Sequence, residues 1–113
     1  ILFAGDIVYL DRMLGVNASS NSKSWLEVFS ALEARKPEIV VPGHGRPAPL
    51  AKAQAETRDY LAHLRKHIGA LVETGGSMVD AKAIDQSAFK HLGVFEQISR
   101  RNAQAVFAEM EFE

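Results

Sequence analysis

Cysteine is absent from the 113 residues, which excludes disulfides, thiolate metal sites and a cysteine nucleophile. The absence assigns no compartment, because cysteine-free proteins occur in reducing and oxidising surroundings alike. A surplus of either charge is also missing. Thirteen Lys+Arg face 14 Asp+Glu, a formal net charge of -1. Polyanion binding through bulk charge is not expected on that basis, which leaves room only for a local basic patch, and nucleic acid is not expected as a partner. No apolar run nears the roughly 20 residues needed to cross a bilayer, so no membrane partner is expected either. The composition of a disordered chain is lacking, as are repeats, low-complexity tracts and anything resembling an interdomain linker. What is present is 47% hydrophobic residues, enough for one core. The length suits a single domain over residues 1–113 and is too short for two. A soluble protein is expected, cytoplasmic or periplasmic.

The opening Ile1-Leu2-Phe3-Ala4-Gly5-Asp6 has no methionine, no basic leader and no polar approach. It reads as a strand buried on both faces and ended by Gly5-Asp6, with Ile7 to Leu10 as a second short strand or a packed loop. A signal peptide is excluded, since the charged start, the length and the cleavage site are lacking. The missing lead-in predicts a portion of a longer protein.

Residues 17–22 read as a polar loop, after which Ser24 and Glu27 fit a capping box. Trp25, Val28, Phe29 and Leu32 then recur at helical spacing, predicting a helix over 25–34 that Lys36-Pro37 stops. Glu38 to Val41 is a continuous β-branched strand pattern, broken by Pro42-Gly43-His44-Gly45. Strand, helix, strand with short connections predicts a parallel pair with the helix laid across it. A long helix follows over about 50–73, with an apolar stripe through Ala53, Thr57, Tyr60, Leu61, Leu64 and Ile68, closed by Thr74-Gly75-Gly76. Ser77 and Asp80 predict a cap for a short helix reaching about Ser87, and a last helix spans about 94–110. The fold class is therefore α/β, a small sheet of two or three strands packed with about four helices.

Two residues stand out chemically. Asp6 follows one strand and a glycine; His44 follows the other, inside Pro-Gly-His-Gly. Parallel neighbours about 4.8 Å apart would bring both side chains out at the carboxyl edge of the sheet, where open α/β sheets place their sites. A carboxylate and a neutral imidazole form a usual donor pair for zinc, iron or manganese. Each motif alone also fits a turn: aspartate bonding its own backbone, or histidine in a glycine loop. Their combination in this order favours a metal site at Asp6 and His44.

These residues resemble the carboxyl half of the metallo-β-lactamase-like hydrolases: Phe3-Ala4-Gly5-Asp6, a helix, then Ile39-Val40-Val41-Pro42-Gly43-His44-Gly45. The resemblance covers residues 1–49 specifically, and the last helix is weakly similar to that of glyoxalase-II-like members. It implies that Asp6 bridges two metal ions and that His44 ligates one. It further implies that the chain is the carboxyl-terminal portion of an αββα hydrolase domain acting on an ester, thioester, lactone or amide bond of a small-molecule substrate. The family's His-x-His-x-Asp-His cluster is absent here. Two ligands leave an ion mostly water-bound, so weak or no metal binding and no activity are expected of the chain alone. Half of a two-sheet sandwich would also leave Ile1, Phe3, Ile39 and Val41, or the alternating set, exposed. A homo-oligomer, or pairing with the missing amino-terminal half, is expected to cover them.

The alternative is a non-enzymatic α/β interaction or oligomerisation domain with no metal site, whose bare strand edge docks on another chain. A phosphoacceptor role for Asp6 ranks lower, for want of further acidic residues and a lysine at nearby strand ends. His63 and His67 stand at i, i+4 but beside Arg65 and Lys66, as on a solvated face. His91 reads as a helix-end residue. Ser19, Ser20 and Ser22 lack a nucleophile-elbow context, and Gly75-Gly76 lacks the surroundings of a phosphate loop. Trp25 and the phenylalanines read as core packing.

Overall fold

The computed structural model describes residues 1–17 and 20–113; Ala18 and Ser19, part of the expected polar loop, lie outside the described residues. The fold is α/β. Strands β1 (Leu2–Tyr9), β2 (Ile39–His44) and β3 (Ala48–Pro49) form a sheet in the order β1-β2-β3, parallel between the first two and antiparallel between the last two. Helix α1 (Ser22–Ala34) connects the parallel pair, as the strand–helix–strand pattern predicts. A continuous helical rod follows over 50–73, made of α2 (Leu50–Ala53), a π-helical turn (Gln54–Arg58) and α3 (Asp59–Glu73). Helix α4 (Met78–Lys82), a 3-10 turn (Ser87–Phe89) and α5 (Phe95–Met110) complete the chain. No helix among the described residues is long and apolar enough to cross a membrane.

Several boundaries differ from the sequence reading. Strand β1 does not end at Gly5-Asp6 but runs on to Tyr9, with the pairing shifted on either side of Gly5. Between the pairs Gly5–Pro42 and Tyr9–His44, three residues of β1 stand against one of β2. Such a bulge bends a strand and turns its side chains outward. Nor is β1 buried on both faces. Leu2 and Ala4 pack beneath the sheet, while Ile1 and Phe3 are 85% and 81% exposed. Ile39 and Val41, expected exposed, are half-buried. Helix α1 begins at Ser22 because Asn21 is the cap, its Oδ1 accepting from the Ser24 backbone N–H at 2.9 Å. Asparagine competes equally with serine for that role. The helix expected to reach Ser87 stops at Lys82; its capping box between Ser77 and Asp80 is present. Past Glu73 the chain closes as a Schellman motif, the Gly75 and Gly76 N–H groups donating to the Val72 and Leu71 carbonyls. Phe3 and Phe112 are exposed rather than core residues.

Two apolar cores result. Val8, Leu10, Phe29, Leu32, Val40 and Ala53 form one between the sheet, α1 and the start of the rod. Tyr60, Leu61, Leu64, Ile68, Ala103 and Val106 anchor the other among the helices, with Met13 and Leu14 folded onto it. The rod takes part in both, and its buried residues follow the predicted stripe.

Candidate functional site

The bulge in β1 lifts Asp6 out of the ladder while Tyr9 falls into register with His44. Asp6 Oδ1 lies 3.7 Å from His44 Nε2, with the two side chains 78% and 41% exposed. The sequence pair is thus brought together at one end of the parallel strands. Its route differs from the expected one, since Asp6 projects from an irregular stretch inside a strand and not from the strand's end.

The glycines around His44 have separate steric reasons. A Cβ at Gly43 would collide with the Asp6 carboxylate and with the Gly5 and Asp6 backbone. Only glycine lets the two strands close at that level. Gly45 has φ +102°, and a Cβ there would strike the Leu10 carbonyl. The chain turns here and returns as β3, the two-residue strand that the prolines at 47 and 49 concealed.

Tyr9 is the neighbour that the sequence reading missed. Its ring stacks on His44 with centroids 4.7 Å apart and planes 16° from parallel, which restrains the imidazole. Burial raises the Tyr9 pKa, and the negative charge of Asp6 raises it further. Tyr9 is itself held from behind. Thr57 Oγ1 accepts from the Tyr9 N–H at 3.0 Å and donates to the Tyr9 carbonyl at 2.7 Å. Thr57 belongs to the π-helical turn and is fully buried. The next residues are tied down in the same way. Leu10 N–H donates to the His44 carbonyl, and Asp11 N–H to Glu56 Oε1 at 2.6 Å. A hydroxyl inside an otherwise apolar helical stripe is the signal in the sequence that points to Thr57.

Beyond His44, Arg46 reaches back to Asp11 with a two-pronged contact, Nε and Nη2 each 3.0 Å from a carboxylate oxygen, and Lys52 joins from the rod. Hydrogen bonds from Arg46 and then Lys52 hold the Asp11 carboxyl well below the usual carboxylate range. Asp11 has φ 65°, a left-handed conformation that aspartate tolerates better than most residues.

A cavity of about 360 Å³ adjoins Asp6. Tyr9, Trp25 and Val28 wall it, and Asn17, Ser20 and Asn21 of the following loop form its rim. Trp25 is therefore a cavity wall as well as a packing residue. The remaining histidines stand apart. His63 Nε2 is 2.6 Å from the Asp85 carbonyl oxygen, and its ring lies 4.2 Å from that of His67. His91 is exposed beside Leu92. Ser22 is buried, taking Arg65 and giving its hydroxyl proton to Glu109. Among the described residues no group of three or more His, Asp or Glu could hold a metal ion. Compared with known proteins, the chain matches no family model and no curated protein.

Proposed function

We propose that Asp6 and His44 are two ligands of the metal site of a metallo-β-lactamase-like hydrolase, the other ligands coming from residues outside 1–113. The observation that supports this reading is their 3.7 Å separation at one strand end. Two donors on one tetrahedral zinc lie roughly 3.4 Å apart, given bonds of about 2.0–2.2 Å, so a shift of a few tenths of an ångström suffices. The donor types suit zinc, iron or manganese. A metal held there would polarise an ester, thioester, lactone or amide carbonyl and lower the pKa of water towards about 7. The chain's own part is to bind and orient. Asp6 offers the carboxylate, His44 an imidazole nitrogen, Tyr9 fixes the plane of that ring, and Gly43 leaves the space that brings the two together.

With two ligands the chain alone binds zinc weakly and hydrolyses nothing. Calorimetry and NMR on a His63→Gln/His67→Gln background, which removes the other histidine pair, test the reading. Weak zinc binding that shifts the His44 ring and is lost in Asp6→Asn supports it. An unperturbed His44 at millimolar zinc overturns it. So does sub-micromolar binding by a monomer, which two side chains cannot provide.

One observation favours a second reading, a self-associating α/β interaction domain: Phe3 on the edge strand β1 and Ile1 just before it are exposed. Light scattering decides. A concentration-dependent mass that Phe3→Ser returns to the monomer favours this reading, and a strictly monomeric mass rejects it.

A further inference from the structure

We infer that the cavity beside Asp6 is a subsite for an uncharged aromatic group on a small molecule whose polar end faces Asp6 and His44. Its role as a substrate subsite rests on the metal-site reading; its capacity to take an aromatic ring does not. The volume of about 360 Å³ lies in the range of small-molecule sites. Two of its walls are aromatic, and their orientation is fixed. Trp25 donates its indole N–H to the Ile7 carbonyl at 2.8 Å, so what it turns to the cavity needs no polar partner. Tyr9 is held between His44 and Trp25, the latter ring 6.0 Å away and tilted by 56°. Two rings tilted against each other line the cavity, and a flat apolar guest can pack on them in the offset or edge-on arrangements that aromatic groups prefer.

Charge narrows the class. No lysine or arginine lines the cavity among the described residues, and Asp6 is the one charged group that does. An anionic guest would lose its hydration without a counter-charge and would face a carboxylate. A cationic guest gains little, because Asp6 is largely open to water and turned towards His44. The rim of Asn17, Ser20, Asn21 and Ser24 is polar but uncharged, which suits the passage of a neutral molecule.

The sequence holds one tryptophan, so a single indole N–H resonance reports on the cavity. Benzyl alcohol, benzoate and benzylammonium are titrated into the metal-free chain and into Asp6→Asn. Benzyl alcohol is expected to bind in the millimolar range, as befits so small a guest, and to move the indole signal equally in both proteins. Benzoate is expected to bind at least about tenfold more weakly. Val28→Asp puts a charge on the wall at a position 48% exposed and should weaken benzyl alcohol roughly tenfold; Val28→Thr serves if that variant does not fold. An indole signal indifferent to benzyl alcohol overturns the inference, as does equal binding of benzoate or binding of benzylammonium alone. A guest affinity that falls as the chain self-associates assigns the cavity to a second copy and overturns it too. Ring binding without any zinc effect at His44 would leave this subsite standing and remove the metal site.

Discussion

Around Tyr60 the helices close on themselves. Its hydroxyl donates to Gln86 Oε1, Gln86 passes a bond to the Ser99 carbonyl, and Asn102 holds both the Leu14 carbonyl and the Val16 N–H at 2.8 Å. No buried side-chain nitrogen or oxygen among the described residues lacks a partner, and burial pushes the Tyr60 phenol pKa up. At the other end Ile1, Phe3 and, on α1, part of Val28 lie in water, together with a carboxylate and an imidazole facing each other. One region invests its residues in internal closure and the other leaves chemistry and apolar surface outward. Stability is expected to concentrate in the first, and the proposed binding falls in the second.

The contrast can be broken most forcefully at Leu64, fully buried among the helices. Leu64→Ala should cost about 2–5 kcal/mol in urea unfolding; a loss near zero would mean the helical core is not the stable region. Asn102→Ala should cost about 1–3 kcal/mol for each buried group it leaves unpaired. It should also disturb Gly15 to Asn17 at the cavity, which amide shifts would register. At the sheet end, Gly43→Ala should cost about 1–3 kcal/mol, with the largest NMR changes at Asp6 and His44. Asp11→Asn sharpens the comparison through pH. A carboxyl held low by Arg46 and Lys52 stabilises the fold above its unfolded pKa, near 4, and loses that contribution as pH falls towards the lower folded value. The variant should therefore be less stable than the parent at pH 7, and the gap should close progressively below about pH 4. Phe3→Ser should change monomer stability by no more than about 0.5 kcal/mol; a larger effect would show that Phe3 is covered in solution.

Patterns of long period were legible in the sequence. The rod over 50–73, the parallel pair around α1 and the convergence of residues 6 and 44 all follow from periodicity and order. What escaped depends on single contacts across the chain. Asn21 rather than Ser24 caps α1 because both types accept the same bond, and only the backbone path decides between them. Gly5-Asp6 looks like a strand end, yet pairing with β2 resumes beyond it, and a bulge has no local signature that separates it from a turn. β3 is two residues, the second a proline and another proline just before it, too short for alternation to show. Of the site, the two candidate ligands were readable and a hydroxyl in the apolar stripe marked Thr57, whereas Tyr9 and the contact that Thr57 makes with it were not. A stacking partner 35 positions away and a hydroxyl 48 positions away leave no trace in spacing.

The π-helical turn over 54–58 carries a further implication. Asp59 N–H bonds the Gln54 carbonyl five residues back, so the turn holds about one residue more than an α-helical one. Removing a single residue here would restore regular α-helical winding. The winding of this turn sets which face of the rod Thr57 occupies, and so places the hydroxyl that holds both backbone groups of Tyr9. The rod thus acts as a keyed shaft between the two ends of the molecule, joining the helical core to the sheet through Thr57.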